Sequence, residues 1–328
     1  MTTKTPQVPQ QIFANGAVPM ESQVAGHIFN PETNSVGLLK NAKDKIVFKP
    51  LGKPQCGIRE VQLYETVKEA TDSDLVALKK LIPDYYGVVK MAVYGREVEF
   101  IKLRDLTHGI RQPCIMDLKV GKRTWDPLAT PQKRVAEEGK YAACKQNLGM
   151  CIPGFQVYRL KTGKVQQFGR DYGKGLNETT FKDALKLFLN ADVIMCKQLV
   201  LQILSQLWAI QKWARTQTTV KLYASSILLI YDAERLRRYL NINEQHSENS
   251  RFKHNGNLRS TNFNNFLLLF SFLGIAEDEN DDTNSWVRVK MIDFAHAFLS
   301  DDNSIDTNYL FGIENLVTIF EGFLQESY

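Results

Sequence analysis

An acid, three cations and a glycine lie close together in PCIMDLKVGKRTWDP, residues 113–127, within and directly after an apolar run that is typical of a strand. These residues are Asp117, Lys119, Gly121, Lys122 and Arg123. Residues 111–145 carry eight basic side chains against four acidic ones, so the positive charge is concentrated locally. A solvated basic face is one interpretation, and a site that binds a highly anionic ligand is the other.

Two other parts of the chain offer residue types that phosphoryl transfer requires. Lys49 lies in a predicted strand, 45–51, and Glu60 lies 11 residues later at the start of a predicted helix, 59–70. Kinase-like small lobes arrange their phosphate-binding lysine and its orienting glutamate in this way. Asp293 lies among apolar residues, where burying an isolated carboxylate is costly. It is therefore a candidate metal ligand, and capping of a turn is the alternative.

The sequence lacks the motifs of several other kinds of site. The chain has no GxxxxGK[ST] loop, no GxGxxG after a strand, no His-Arg-Asp with a following Asn and no GxSxG. The five histidines show no metal-binding spacing. No interleaved aromatic residues, helix-turn-helix or RNP pattern accompanies the basic cluster, so nucleic acid is not an expected partner.

Composition limits the class of protein. The chain has 328 residues, of which 44% are hydrophobic, and a net charge of +5, which suits one large domain or two lobes. The longest apolar stretch, residues 266–276, is too short for a transmembrane segment. The five cysteines form no CxxC pair, which argues against a disulfide framework or a structural zinc site and favours an intracellular location.

The first part of the chain predicts a small α+β lobe. It follows a lead-in, residues 1–23, that is expected to be disordered. The predicted strands lie at 45–51, 85–94 and 97–103, and the predicted helices at 59–70 and 74–82.

The second part predicts a larger α+β lobe. Thr130 is a good N-cap for a helix at 131–146, which would place Lys133 and Lys140, seven residues apart, on one face. A segment at about 240–285, rich in Asn, Ser and charge, is predicted to be a mobile insertion. The other predicted elements are core helices after Asn177 and at 192–215, strands at 151–160, 221–232 and 286–298, the last two paired, and a closing helix at 309–324.

The order of three motifs resembles that of the inositol polyphosphate kinase family. Its PxxxDxKxG pattern is met by Pro113, Asp117, Lys119 and Gly121, its SSLL by Ser225, Ser226, Ile227 and Leu228, and its IDF by Ile292, Asp293 and Phe294. The similarity extends over residues 24–325. VAGHIF, LRDLTH, TWDP, YASS and His296 are most similar to the multikinase branch, and the hexakisphosphate kinase branch is the alternative.

The resemblance implies a two-lobed α+β fold with a kinase-like N-lobe at 24–106, which would bind nucleotide. The catalytic C-lobe, at 107–328, would bind inositol phosphate. The expected activity is ATP-dependent phosphorylation of inositol 1,4,5-trisphosphate and tetrakisphosphate towards pentakisphosphate. Phosphatidylinositol 4,5-bisphosphate is a further candidate substrate. Hexakisphosphate kinase activity and a non-catalytic polyphosphate-binding scaffold are the alternatives.

The resemblance also implies roles at the nucleotide. Lys49 would bind the ATP phosphates and Glu60 would orient it. The backbone of Arg104 and Leu106 would hold adenine, although Arg104 stands where vertebrate multikinases have Glu. Asp117 would contact the ribose beside the reacting centre.

Other residues are implied at the reacting centre and the inositol phosphate. Lys119 would contact the transferred phosphoryl group and Asp293 would bind Mg²⁺. Gln156 stands where some members have Arg, which weakens one phosphate contact. The inositol phosphates would be held by Lys133, Lys140 and His296. A monomer in the nucleus and cytoplasm is expected.

Overall fold

The computed structural model describes residues 13–250 and 285–326, which form two lobes, each built on an antiparallel sheet. The first sheet has the strand order β1-β2-β3-β5-β4. Its strands are β1 (Val18–Pro19), β2 (Leu39–Asn41), β3 (Ile46–Pro50), β4 (Tyr85–Val93) and β5 (Arg96–Arg104), and its helices are α1 (Pro54–Lys68) and α2 (Ser73–Leu81). The elements predicted between residues 45 and 103 are confirmed, and α1 starts five residues earlier than predicted.

Part of the predicted disordered lead-in is ordered. Residues 1–12 lie outside the described residues, but Phe13 and Ala17 are buried in a hydrophobic cluster of the first lobe. Burial of apolar surface offsets the entropy lost when this segment is ordered. The prediction of disorder is therefore wrong for residues 13–23.

The second sheet has the strand order β11-β10-β6-β7-β8 and lies beside a two-stranded pair of β9 and β12. Its strands are β6 (Pro113–Val120), β7 (Met150–Tyr158), β8 (Val165–Phe168), β10 (Ser226–Asp232) and β11 (Val287–Ile292), and the pair is β9 (Val220–Leu222) with β12 (Ala297–Leu299). The strands predicted at 221–232 and 286–298 do pair, but each is divided in two. The breaks fall where Ala224 and Asp293 adopt left-handed backbone, with φ of 56° and 63°, which interrupts an extended chain.

The helices of the second lobe correct one prediction directly. They are α3 (Pro131–Gly139), α4 (Ala142–Leu148), α5 (Arg170–Lys174), α6 (Glu178–Phe188), α7 (Lys197–Thr216), α8 (Ala233–Ser250) and α9 (Thr307–Glu326). The single helix predicted at 131–146 is wrong, because α3 ends at Gly139 and Tyr141 takes a left-handed φ of 55° before α4 begins. The buried ammonium group of Lys145 donates a hydrogen bond to the carbonyl group of Glu137 and stabilises this break.

Three other predictions concern helices. Helix α8 covers residues 240–250 of the predicted mobile insertion, and residues 251–284 of that insertion lie outside the described residues. Helix α7 begins five residues after the predicted start at 192. The closing helix is confirmed as α9.

The largest hydrophobic core lies between the second sheet and helices α6, α7 and α9 and continues onto α1 and α2 of the first lobe. Asn177 is the N-cap of α6, since its side chain accepts a hydrogen bond from the N–H of Thr180. Within residues 13–250 and 285–326, none of the helices combines the length and the apolar character needed to cross a bilayer. The helix predicted after Asn177 is confirmed as a core helix, because Phe181, Ala184, Leu185 and Phe188 of α6 are fully buried.

Residues 20–38, here called the bridging segment, connect β1 to β2 and also touch the second lobe. Arg170 donates a hydrogen bond of 2.7 Å to the carbonyl oxygen of Gly26. The carbonyl oxygen of Val24 lies so close to Gly154 that a Cβ on this residue would come within 2.1 Å of it. A glycine on β7 is therefore required for the bridging segment to lie where it does.

We expect Gly154→Ala to destabilise the protein by about 1–3 kcal/mol, because the added methyl group must displace Val24 or distort β7. Urea unfolding measures the change. Gly322→Ala is the matched control: nothing lies within 4 Å of the added methyl group inside α9, so stability should rise by about 0.5–1 kcal/mol. Equal stability of Gly154→Ala and wild type would contradict the packing of the bridging segment on β7.

Candidate active site

A cleft of about 1360 Å³ lies between the two lobes. Its walls come from β3, β5 and α1 of the first lobe, from β6, β10 and the end of β11 in the second, and from the bridging segment. All but two of the predicted site residues line it: Lys49, Glu60, Arg104, Leu106, Asp117, Lys119, Lys133, Asp293 and His296.

The register of the second sheet brings Lys119 and Asp293 together. Asp117 and Lys119 are two residues apart on β6 and therefore face the same side of the sheet. Ser226 at the start of β10 pairs with Lys119 on one side and with Ile292 on the other. Asp293 directly follows Ile292, so strand pairing places its carboxylate near the ammonium group of Lys119.

Lys49 connects the two lobes through two carboxylates. Its Nζ donates hydrogen bonds to Glu60 Oε1 at 2.7 Å and to Asp293 Oδ1 at 2.5 Å. Glu60 Oε1 also accepts a hydrogen bond from the backbone N–H of Phe294 at 3.1 Å. Burial alone would lower the pKa of Lys49, but the charges of Asp293 and Glu60 raise it well above its ordinary value, so the ammonium group stays charged.

Asp293 is held in an uncommon backbone conformation. A φ of 63° costs a non-glycine residue about 1–3 kcal/mol and persists only where neighbouring contacts fix it. Phe294, the next residue, is fully buried with its ring 5.5 Å from that of Tyr64. Burial would raise the pKa of Asp293, but the charge and hydrogen bond of Lys49 lower it below its ordinary value, so the carboxylate is ionised.

Asp117 is a buried carboxyl group with unused hydrogen-bonding capacity. It is 6% exposed, and its Oδ1 has no hydrogen-bond partner among the described residues. Burial raises the pKa of Asp117 to about 6, and the charge of Asp293 adds to this rise. A buried acceptor without a partner is costly, so this oxygen suits a hydroxyl group or cation that a ligand brings into the cleft.

The glycine of the basic motif forms the turn that ends β6. Gly121 has a φ of 109°, and a Cβ there would lie 2.6 Å from the amide nitrogen of Asn308 on α9. Lys122 packs over the ring of Phe311 at 3.9 Å, and Arg123 packs over Trp125 at 4.3 Å. Of the three cations in the motif, Lys119 lines the cleft and the other two pack on rings of the second lobe.

The hinge between the lobes presents an apolar surface. Arg104 and Leu106 line the cleft at the end of β5, and the carbonyl oxygen of Leu106 accepts a hydrogen bond of 2.5 Å from Arg288. Leu106 packs with Ile115 and Ile230 in a small hydrophobic cluster that Val24 and Leu228 border. An apolar surface beside backbone polar groups suits a purine ring.

The opposite end of the cleft holds Lys133 on α3 and His296 after β11. The Nδ1 atom of His296 is hydrogen-bonded to the Asp126 carboxylate. Burial lowers the pKa of His296, and this carboxylate only partly opposes the change, so the imidazole is mainly neutral at neutral pH. This end therefore offers a cation and a neutral imidazole.

The structure separates two predicted site residues from the cleft. Lys140 lies beyond the end of α3 and pairs with Glu137 at 2.7 Å, so the prediction that it shares a helix face with Lys133 is wrong. Gln156 on β7 is buried, and its amide group donates a hydrogen bond of 2.8 Å to the carbonyl oxygen of Pro113. Because this contact is internal to the sheet, the assignment of Gln156 to the substrate is corrected to a structural role.

Other residues of the site were missed by sequence reasoning. Asp126 and Arg59 both lie close to His296 in space, and Arg59 donates a hydrogen bond of 2.7 Å to the carbonyl oxygen of Ala295. The bridging segment was also missed as a wall of the cleft. The TWDP motif contains Asp126 and was the one available signal for it.

The donor set fits a divalent cation that is bound together with phosphates. Asp117 and Asp293 are near enough for the charge of one to raise the pKa of the other. Mg²⁺ is usually held by one or two carboxylates, with water and substrate phosphates completing its six ligands. Within the part of the chain that the structure describes, no cluster of three or more His, Cys, Asp or Glu residues could hold a metal alone.

The fold and the site define a kinase-like phosphotransferase. A small antiparallel lobe carries Lys49 and Glu60, a larger lobe carries Asp117 and Asp293, and the four side chains meet at the cleft between them. The family model for inositol polyphosphate kinase matches residues 100–321. The chain therefore belongs to the inositol polyphosphate kinase family.

Similar proteins agree with this assignment. Human inositol polyphosphate multikinase is 26% identical over 381 residues, which cover 95% of this chain and 90% of that protein. Human inositol hexakisphosphate kinase 1 is 30% identical over 240 residues, or 70% of this chain and 53% of that protein. The crystal structure of inositol phosphate multikinase Ipk2 from S. cerevisiae, in complex with ADP and Mn²⁺, has a TM-score of 0.61 at 20% identity and covers 85% of this chain and 99% of that one. This last likeness supports the fold.

We expect Lys49→Ala to raise KM for the nucleotide and to lower kcat, because a fixed cation is removed from the phosphates and two carboxylates lose their partner. Initial rates at varied nucleotide concentration measure both constants. Lys43→Ala removes an exposed lysine from the turn between β2 and β3 and should leave both constants unchanged. If kcat and KM of Lys49→Ala equalled those of the wild type, the ion pairs of Lys49 would have only a structural role.

Proposed function

We propose that the protein is an ATP-dependent inositol polyphosphate multikinase that acts with Mg²⁺. Its substrates would be inositol 1,4,5-trisphosphate and the tetrakisphosphate made from it, with the pentakisphosphate as product. The observation that carries the proposal is the position of Lys49 between Glu60 and Asp293, at the boundary of the two lobes. A protein that only binds polyphosphates needs cationic side chains. This site also has carboxylates next to its cationic side chains.

The nucleotide would lie between the hinge and Lys49. The apolar cluster around Leu106 would contact adenine, Asp117 would accept a hydrogen bond from the ribose, and Lys49 would pair with the phosphates. Mg²⁺ would be held by Asp293 and would neutralise charge on the phosphates during transfer. Lys49 already pairs with Asp293. In the complex, the phosphates would replace Asp293 as the partner of Lys49, and the cation would replace Lys49 as the partner of Asp293.

The inositol phosphate would lie at the other end of the cleft. Lys119 is near both Asp117 and Asp293, so it can contact the phosphoryl group during its transfer. Lys133 and His296 would hold the ring and its phosphates, with the negative charge of the substrate attracting it towards the local basic excess.

The choice of multikinase over hexakisphosphate kinase rests on charge and on coverage. Among the described residues, the lysines that line the acceptor end of the cleft are Lys119 and Lys133, which suits a substrate with fewer phosphates than the hexakisphosphate. The multikinase relatives from human and rat also match 95% and 98% of this chain, against 70% for hexakisphosphate kinase 1.

The head group of phosphatidylinositol 4,5-bisphosphate would be a second substrate, since it carries the same two vicinal phosphates as the trisphosphate.

The protein would act as a monomer. It would work inside the cell, in the nucleus and cytoplasm, in line with its free cysteines.

A substrate panel tests the proposal. Purified protein with labelled ATP and Mg²⁺ is expected to phosphorylate the trisphosphate and tetrakisphosphate faster than the hexakisphosphate, as chromatography of the products would show. Asp293→Asn should still bind inositol phosphate but should transfer phosphate at least about 10²-fold more slowly, because an anionic ligand for the cation is lost. Pyrophosphate products from the wild type would favour the hexakisphosphate kinase, and binding without turnover would favour the scaffold.

The two lysines of the α3 region should behave differently. Lys133→Ala should raise KM for the inositol phosphate and flatten its salt dependence, because Lys133 lines the cleft. Lys140→Ala is the matched control and should have the smaller effect, because Lys140 does not line the cleft and its ammonium group is already paired with the cleft residue Glu137. An equal loss in both variants would show that substrate binding draws Lys140 into the site.

A further inference from the structure

Three elements that are distant in the chain converge on one buried carboxylate. Asp126 follows β6, is 4% exposed, and accepts a hydrogen bond of 3.0 Å from the backbone N–H of Leu128 through Oδ1. Its Oδ2 is hydrogen-bonded to His296 Nδ1 and lies 3.8 Å from Nη1 of Arg59 on α1. The guanidinium group of Arg59 lies 4.2 Å from the centroid of the Phe298 ring. These contacts fix the carboxylate independently of any ligand.

The chemistry of this pair determines which ring nitrogen of His296 carries the proton. A carboxylate can only accept hydrogen bonds, so Nδ1 must donate when Asp126 is ionised. Although burial would raise the pKa of Asp126, the hydrogen bond with His296, the charge of Lys133 and the backbone N–H of Leu128 lower it below its ordinary value, so the ionised form prevails. Nε2 of the neutral ring is then an acceptor, and no described residue donates a hydrogen bond to it.

His296 lies where such an acceptor is useful. Its side chain is 24% exposed and lines the cleft, three residues after the proposed metal ligand Asp293. Phosphoryl transfer to an alcohol releases the proton of the attacking hydroxyl group, and a positioned base near that hydroxyl accelerates the step.

We propose that Asp126 is a positioning residue that holds His296 with the proton on Nδ1, so that Nε2 accepts the proton of the attacking inositol hydroxyl group. In this step the hydroxyl oxygen forms a bond to the γ-phosphorus of ATP as its proton passes to Nε2. The bond from phosphorus to the β–γ bridging oxygen breaks, and ADP leaves with that electron pair. The imidazolium then returns the proton to solvent. This inference rests on the proposed kinase function.

The pH dependence separates this role from that of a cation that holds phosphate. The charged groups that face His296 are Asp126 after β6, Lys133 on α3, Arg59 on α1 and Asp293 in its own turn. An acceptor at Nε2 must be neutral, so kcat should fall as pH drops through the pKa of His296. A phosphate-binding cation would instead lose affinity as pH rises. His296→Asn should abolish the limb that belongs to this residue.

Asp126→Asn tests the positioning role. It should lower kcat by about 10²-fold with little change in KM for the inositol phosphate, because the ring is no longer held in one tautomer. The remaining acidic limb should move to lower pH, since the lost carboxylate raised the pKa of His296. Asp192→Asn, which removes a carboxylate paired with Arg159 at 2.6 Å outside the cleft wall, should leave kcat and the pH profile unchanged.

The double variant Asp126→Asn/His296→Asn supplies the decisive comparison. If Asp126 acts through His296, the double variant should be no slower than His296→Asn alone. A near-normal kcat of Asp126→Asn, or losses that multiply in the double variant, would overturn the proposal.

Nitrogen-15 NMR of histidine-labelled wild-type protein gives a readout that does not depend on turnover. His296→Asn identifies its signals among those of the five histidines. A proton on Nδ1 at neutral pH is expected, and a proton on Nε2 or on both nitrogens would overturn the inference. If the wild type phosphorylates none of the inositol phosphates, the proposed function fails, while the NMR result still decides the state of the Asp126–His296 pair.

Discussion

The rest of the site depends on the ion pairs that the ammonium group of Lys49 forms with Glu60 and Asp293. Glu60 belongs to α1, Asp293 to the turn after β11, and Lys49 to the first sheet, so one cation fixes three elements from two lobes. Without it, Glu60, Asp293 and the nearby Asp117 would be three carboxylates in one partly buried region. Such an arrangement would protonate or move apart, because like charges in a low dielectric strongly disfavour ionisation. The ionised site therefore depends on the contact that Lys49 makes between the two lobes.

The need to balance these carboxylates explains the positions of Asp117 and Lys119 on β6. Lys119 adds a second cation on the same sheet face as Asp117, and the pair Lys49 and Lys119 balances part of the carboxylate charge before any ligand arrives. The nucleotide phosphates are negative and their cation is positive. They can therefore replace the ion pair between Lys49 and Asp293 without leaving either buried charge unpaired.

Local patterns in the sequence were sufficient for the longer strands and for most helices, but they did not reveal the short strands β1, β2 and β8. Alternation on β6 placed Asp117 and Lys119 on one face, and the spacing from Lys49 to Glu60 reflected a strand followed by a helix. Helical periodicity failed at residues 131–146, because it does not register a single residue in left-handed backbone such as Tyr141. The position assigned to Lys140 failed with it.

Contacts between distant residues could not be predicted in this way. Asp126 and His296 are 170 residues apart and meet only because β10 lies between β6 and β11 in the sheet. Gln156 has a polar side chain that resembles a ligand contact in the sequence, and only the structure shows its hydrogen bond to Pro113 inside the sheet. The bridging segment lines the cleft because a glycine on β7 admits it, which is a property of packing.

The backbone breaks at Gly121, Ala224 and Asp293 show why this sheet produces a site at its edge. An uninterrupted β10 or β11 would continue the alternation of side chains and would carry Asp293 on through the ladder, away from Lys49. A left-handed residue ends the ladder and turns the next side chain out of the sheet plane. All three breaks fall at one end of the adjacent strands β6, β10 and β11, where the first lobe approaches. The cost of the left-handed conformations at Ala224 and Asp293 therefore falls where the two lobes are in contact. The buried ring of Phe294 and the hydrogen bond from its backbone N–H to Glu60 hold Asp293 in this conformation.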